Sequence, residues 1–182
     1  MPKTRTTLDR DEKVTEILDA TERRLRDGGY GAVSVAAIAR ELGLAHSAVY
    51  WYFPSKDHLL VSAFEHVVKK LLANKPKETR DVTERILWFV EQLGELYPIR
   101  ASLHERAQTS KIVADYLDDF NERLRKMATN VLSPYIDAAE VDVAAASFTA
   151  TVQGIFLAGI DAEERRRILT FALERLIGRD PV

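Results

Sequence analysis

Apolar residues recur along this chain at intervals of three and four positions, the spacing of an amphipathic helix. In the first such stretch, residues 9–27, the residues on one face are Val14, Ile17, Leu18, Thr21 and Leu25. No segment alternates apolar and polar residues as a half-buried strand would. The same spacing predicts further helices over about residues 34–42, 46–52, 55–74, 78–96, 99–110, 111–132, 141–160 and 162–177. The pattern therefore predicts an all-α protein.

A short segment in the first third of the chain predicts two helices joined by a tight turn. Ser34 can cap the first helix through its hydroxyl, and Ile38 and Leu42 then share one face. Gly43 follows at once and can adopt a positive φ without a Cβ clash. Val49 belongs to the apolar face of the second helix. Two such helices form a helix-turn-helix, whose second helix usually enters the DNA major groove; the alternative is an ordinary helical hairpin in a bundle.

The residues that flank this motif strengthen the interpretation. Upstream, an amphipathic helix ends in a glycine-tyrosine sequence; downstream, an aromatic cluster precedes a new helix. Together these segments resemble the N-terminal domain of the TetR family of bacterial transcriptional regulators. The matching positions are Ile17, Leu18, Ala20, Gly29, Tyr30, Val35, Ile38, Ala39, Gly43, Val49, Tyr50, Tyr52, Phe53, Lys56, Leu59 and Leu60. The rest of the chain matches that family only in length and helical character.

The resemblance implies an N-terminal three-helix helix-turn-helix DNA-binding domain and a C-terminal helical domain for ligand binding and dimerisation. A proline at position 76, within an Asn-Lys-Pro-Lys sequence, interrupts the helical pattern. We therefore expect the DNA-binding domain in residues 1–55, a connecting helix in 56–75, and an all-helical effector-binding and dimerisation domain in 76–182.

Nine residues are candidates for contact with DNA. His46 can donate or accept a hydrogen bond at a base edge, and Ala48 can pack against a thymine methyl group. The resemblance implies that Ser34, Tyr50 and Lys56 contact phosphates. Tyr52 is either a phosphate contact or part of the core. The full set is Ser34, Ala45, His46, Ser47, Ala48, Tyr50, Trp51, Tyr52 and Lys56.

The charge of the chain argues mildly against tight non-specific binding to DNA. The net charge is −2 and the isoelectric point is about 6.1. Residues 1–60 carry nine basic and nine acidic side chains, so this segment is neutral as well. Contacts to DNA would thus depend on a few placed cations and backbone amides. Residues 1–8 are expected to be a mobile arm, whose Lys3 and Arg5 either enter a minor groove or are simply solvated.

The second half of the chain contains a nearly uncharged helix, residues 141–160, rich in alanine and glycine. Such a helix is expected to be buried on several sides, and small residues let a neighbouring helix approach closely. The resemblance implies that the last two helices form a four-helix dimer interface. We therefore expect a homodimer through about residues 141–177.

The second domain also has aromatic and polar residues that could line a pocket for a small-molecule effector. Apolar and aromatic walls with a few polar groups suit such a pocket, although the same residues could be plain core. The expected effector is neutral or weakly polar, and partly aromatic or acyl. The candidates are Trp88, Phe89, Gln92, Tyr97, His104, Gln108, Tyr116, Phe120, Phe148, Gln153 and Phe156.

Several functions are disfavoured by what the sequence lacks. There is no cysteine, and the four histidines are scattered without a metal-binding motif or a catalytic signature. We therefore expect no enzyme activity, no metal and no cofactor. No membrane span and no secretory signal are evident, so a cytoplasmic location is expected. The favoured function is a ligand-responsive repressor that binds a palindromic operator; the alternative is a helical protein-interaction adaptor or a regulator without ligand response.

Overall fold

The computed structural model describes residues 5–74 and 81–178, with side chains from residue 10 onward. Every regular element within these residues is an α-helix, as the hydrophobic pattern predicts. The helices are α1 (Arg5–Ala32), α2 (Val35–Glu41), α3 (His46–Tyr52), α4 (Lys56–Ala73), α5 (Val82–Glu95), α6 (Tyr97–Ala107), α7 (Lys111–Leu132), α8 (Val141–Leu157) and α9 (Ala162–Ile177). None of the described helices is long and apolar enough to cross a membrane.

The first helix differs from its prediction at both ends. It begins at Arg5, so residues 5–8 of the expected arm are helical, while Lys3 lies outside the described residues. At the other end the helical dihedral angles are interrupted at Gly28 and Gly29, and a short helical turn then continues to Ala32. Gly29 has a φ of 65°, and a Cβ placed there would lie 3.0 Å from the hydroxyl of Ser102. The kink therefore depends on glycine.

The first compact unit comprises residues 5–74 and 96–117. Helix α1 packs against α4 and α6, and α2 packs against α3. Fully buried aliphatic and aromatic side chains form the centre, among them Ile17, Leu25, Leu59, Phe64 and Leu103. By packing alone, α6 and the start of α7 thus group with the N-terminal helices. The functional division at residues 55 and 75 remains a prediction.

The second compact unit comprises residues 81–95 and 118–178. Helix α9 packs against both α5 and α8, around the buried side chains of Val90, Leu169 and Leu173. Asp161 caps α9 by accepting a hydrogen bond from the backbone N–H of Glu164 at 3.0 Å. This unit therefore has a core of its own.

Candidate nucleic-acid interface

The helix-turn-helix has the local geometry that the sequence predicts. Ser34 caps α2, its Oγ accepting a hydrogen bond from the backbone N–H of Ala37 at 3.2 Å. Gly43 has a φ of 64°, in the left-handed region that favours glycine. The next backbone N–H, that of Leu44, donates to the carbonyl of Ala39 at 2.8 Å and closes the turn. The cap and the glycine turn are therefore confirmed.

Helix α3 is anchored on one side and exposed on the other. Val49 is only 1% exposed and fixes the helix to the core. His46 and Ser47 are exposed at the beginning of the helix, and the His46 ring meets the Tyr50 ring edge-on at 5.1 Å. Trp51 is 67% exposed. Among the remaining candidates, Ala45 is exposed, whereas Ala48 and Tyr52 are half-buried.

Lys56 lies in the first turn of α4, immediately after the cap residue Ser55. Its ammonium Nζ lies 3.8 Å from the ring centroid of Tyr30, and the side chain is half-buried. Burial lowers the pKa of Lys56, and the positive charge of Arg106 lowers it further. Its role as a phosphate contact remains a prediction, and the aromatic ring would hold the ammonium in place for that role.

A polar cluster beneath this lysine was not anticipated from the sequence. Asp57 is 9% exposed, and its carboxylate accepts hydrogen bonds from the Tyr30 hydroxyl at 2.7 Å and from Arg106 Nε and Nη2 at 2.8 and 3.0 Å. The hydrogen bond from Arg106 is the main cause that lowers the pKa of Asp57 to about 2. Burial, followed by the hydrogen bond to Asp57, raises the pKa of Tyr30 to about 12. The cluster therefore joins the end of α1, the start of α4 and the end of α6.

Carboxylates neutralise most of the cations on α1. Glu41, at the end of α2, binds both Arg23 and Arg24. Glu22 binds Arg26 at 3.0 Å. Glu16 likewise binds Lys13 at 2.7 Å. These pairs hold α1 against α2 and remove positive charge from the surface, as the neutral composition of this segment suggests.

One acidic cluster with a histidine was considered as a metal site. Asp19, Glu22 and His66 offer three ligand atoms within 4.8 Å of one another. The ammonium of Lys70 donates hydrogen bonds to both carboxylates, at 3.2 and 3.0 Å, and His66 Nε2 lies 2.9 Å from Asp19. The protein's own cation thus balances the cluster's charge, and the expectation of no metal remains a prediction.

The candidate effector residues divide between the two units. In the second unit, Phe120, Phe148 and Phe156 are buried, whereas the polar and aromatic candidates around them are half-buried: Trp88, Phe89, Gln92 and Gln153. In the first unit, the Tyr116 hydroxyl donates to Glu65 at 2.5 Å. The other candidates of that unit are Tyr97, which is half-buried, and the exposed His104 and Gln108. A shared role as a pocket remains a prediction.

Comparison with known proteins places this helix-turn-helix in a family. Residues 17–63 match the model of the family described as "Bacterial regulatory proteins, tetR family". The HTH-type transcriptional repressor KstR of Rhodococcus jostii is 37% identical over 83 residues, which are 45% of this chain and 39% of the relative. The Fatty acid metabolism regulator protein of Bacillus subtilis is 22% identical over 163 residues, 90% of this chain and 76% of the relative.

A solved structure agrees over most of the chain. A transcriptional regulator from Rhodococcus sp. RHA1 has a TM-score of 0.70 and 26% identity, covering 91% of this chain and 94% of that one. The chain spans about two fifths or less of the length of the KstR relatives that it matches. The fold and the motif define a regulatory protein of the helix-turn-helix class. Within that class, the chain belongs to the TetR family, and this membership confirms the expectation of a protein that is not an enzyme.

Proposed function

We propose that this protein is a transcriptional regulator that binds an inverted-repeat DNA operator as a homodimer and acts as a repressor. The single observation that carries the proposal is helix α3, which is anchored by Val49 and exposes His46, Ser47, Tyr50 and Trp51 on its other side. A recognition helix needs this arrangement to reach base edges while its scaffold stays rigid. The KstR relatives, named as transcriptional repressors, support the sign of the regulation.

Dimerisation through α8 and α9 is supported by apolar side chains that the single chain leaves uncovered. Val143 is 69% exposed, Leu157 is 74% exposed, and Phe171 on α9 is 60% exposed. The exposed residues of α8 recur at helical spacing and are mostly small or apolar: Val143, Ala146, Ser147, Ala150, Gly154 and Leu157. A second copy covering this face would bury these residues in an isologous interface. It would also bring two recognition helices to the spacing of about 34–36 Å that successive major grooves require.

A small-molecule effector would act in the second unit, beside the aromatic side chains of α5 and α8. Buried Phe148 and Phe156 and half-buried Trp88 provide the apolar wall that an acyl or aromatic effector needs. The name of the Bacillus subtilis relative, a fatty acid metabolism regulator, makes acyl compounds the first probes to use. Release from the operator would require a differential affinity of about 5 kcal/mol between the two conformations, and operator DNA would weaken effector binding by the same factor.

The first experiment is selection of bound fragments from a random pool of DNA duplexes, using the full chain at low salt. We expect enrichment of an inverted repeat of about 15–25 base pairs, because a two-fold symmetric dimer reads two half-sites. Absence of any enriched sequence would contradict the proposal and favour an interaction adaptor.

Effector binding can be followed through tryptophan fluorescence, since the chain has two tryptophans, Trp51 and Trp88. The Trp51→Phe variant leaves Trp88 as the reporter in the second unit. We expect saturable quenching or enhancement by long-chain acyl compounds, with no change for a short polar control such as acetate. The reciprocal variant, Trp88→Phe, should show no such signal from Trp51.

A further inference from the structure

The cations of the DNA-binding segment are unequal in their availability to DNA. Within described residues 10–52 there are six arginines and lysines, and the four named above are paired with carboxylates. Arg10 and Arg40 make no ion pair with any carboxylate that the structure describes. A cation already neutralised inside the protein must break its pair before it can bind a phosphate. The electrostatic attraction of this segment for DNA therefore centres on these two arginines.

Arg10 differs from Arg40 because it is held in place. Its guanidinium carbon lies 4.9 Å from the centroid of the Trp51 ring. The indole is itself fixed, since its ring meets the ring of Tyr52 edge-on at 4.9 Å with an interplanar angle of 83°. For Arg40 the described residues show neither an aromatic platform nor an ion-pair partner, so its side chain would lose more rotamer freedom on binding a phosphate.

A guanidinium stacked on a ring keeps the N–H groups at its edge available. Those groups form the planar fork that matches two oxygens of a phosphate, and the stack reduces the entropy lost when the contact forms. Trp51 lies in α3, the helix that the proposed function places in the major groove, so Arg10 is presented beside that helix. We propose that Arg10 is a phosphate-binding residue of the DNA interface and that Trp51 positions it; this inference rests on the proposed function.

The alternative is that the Arg10–Trp51 contact only stabilises the fold. Trp51 is 67% exposed, and a cation–π contact at such a site contributes little to folding. Removing the guanidinium should therefore change the thermal unfolding midpoint by no more than a few degrees. DNA binding, in contrast, should change by a large and measurable factor, which separates the two roles.

The test compares full-length variants on the selected inverted repeat and on random duplex DNA over a series of salt concentrations. Arg10→Ala should weaken binding about ten-fold or more to both DNAs. The slope of log K against log salt should fall by about 0.9 per lost phosphate contact, or about 1.8 per dimer. Arg26→Ala is the matched control, because it removes the same charge from the same helix at a residue already paired with Glu22. Its slope should equal that of the wild type.

The role of Trp51 is tested by a double-mutant cycle. Trp51→Leu removes the platform but leaves Arg10, and the further Arg10→Ala change should then cost clearly less than it does in the wild type. If Trp51 instead contacts bases independently, its loss would affect only the selected repeat and would add fully to the loss of Arg10. That result would overturn the positioning role.

Each remaining outcome decides between the inference and the proposed function. Wild-type binding with an unchanged slope for Arg10→Ala would overturn the inference and leave the proposed function standing. Equal losses for Arg10→Ala and Arg26→Ala would show an effect of overall charge and would also overturn it. A wild-type protein that binds no DNA would overturn both.

Discussion

At the scale of single residues, the carboxylate of Asp57 makes the most densely satisfied polar contact in the first unit. It accepts from the Tyr30 hydroxyl and from two nitrogens of Arg106, while burial removes most of its contact with water. A buried carboxylate contributes to stability only when its charge is compensated in this way. Ordinary folding energetics therefore explain this cluster, and it can be tested independently of DNA.

Replacing the charge of Asp57 should destabilise the protein. The folded-state pKa of Asp57 is about 2, below its ordinary value of 3.8, so the ionised form stabilises the fold. Asp57→Asn, which keeps an acceptor for Tyr30, should lower the free energy of unfolding by about 2 kcal/mol at pH 7, as measured by urea denaturation. This difference from the wild type should persist above pH 4 and shrink as the pH falls from about 4 towards 2.

The control for that variant is Asp115→Asn. Asp115 pairs with Lys111 on the surface of α7, where its side chain is 62% exposed. Its loss should change the free energy of unfolding by less than about 0.5 kcal/mol. Equal effects of the two substitutions would contradict the stabilising role given to Asp57.

Two candidate DNA contacts should respond differently to alanine substitution. His46→Ala should cost about 1–3 kcal/mol on the selected operator and nothing on random DNA, because a base contact carries sequence information. Lys56→Ala should weaken binding to both DNAs and reduce the salt slope, since a phosphate contact does not depend on sequence. Competition binding on both duplexes measures the two effects. Equal losses on both DNAs for His46→Ala would exclude a base-reading role.

At the scale of elements, the turn between α2 and α3 depends on backbone conformation at one residue. Gly43 has a φ of 64°, yet a Cβ built there would meet no atom within 4 Å. The requirement for glycine is therefore one of dihedral angle and not of space. The angle between the two helices, and hence the direction of the recognition helix, follows from this residue.

Substitution of Gly43 should show that requirement directly. Gly43→Ala should cost about 1–2 kcal/mol of unfolding free energy, because an alanine is strained at this φ. Gly31→Ala is the control: Gly31 has neither a positive φ nor a close neighbour, so the same change there should be neutral or should stabilise by about 0.4–1 kcal/mol. Thermal or urea unfolding measures both, and a neutral Gly43→Ala would contradict the argument.

Helix positions could be predicted well where local signals mark them. The cap at Ser34, the break at Pro54 and the proline-containing segment before α5 divide the chain at the right places, and α3, α7 and α9 have the predicted bounds. The end of α1 was less well predicted, because the turn after Gly29 is helical again. Whether a glycine pair ends a helix or only kinks it depends on packing, here against Ser102 of α6.

The candidate site was predictable in part for the same reason. Exposed residues of α3 follow from helical periodicity around Val49, a local property of the sequence. Asp57 and Arg106 are 49 residues apart, and Arg10 and Trp51 lie on different helices. No local pattern links such residues, so only the packing of α1, α4 and α6 brings them together.

At the scale of the whole molecule, the proposed dimer is what would turn one recognition helix into a two-site reader. The exposed face of α8 ends in Leu157, and small residues along it would allow a close approach of a second copy. Two half-site contacts made by linked subunits bind far more tightly than either alone.

A charge placed on this face should separate the subunits. Leu157→Glu should convert a dimer into a monomer in light-scattering measurements, because the carboxylate would be buried without a partner. Affinity for the operator should then fall by about 10²-fold or more. Leu72→Glu serves as the control, since Leu72 is also exposed, at 42%, but lies on α4 in the other unit. A dimeric Leu157→Glu variant would place the interface elsewhere.

The internal neutralisation of the cations on α1 has a consequence for how such a regulator would find its operator in a chromosome. Glu41 and its neighbours leave little positive charge for indiscriminate attachment to the phosphate backbone. A genome offers about 10⁶–10⁹ competing sites, and each of them sequesters a protein in proportion to its non-specific affinity. A weakly attached protein spends more of its search in free diffusion between distant segments and less of it sliding along one. Fewer copies per cell would then suffice to keep an operator occupied, and occupancy would change more quickly when the protein concentration changes.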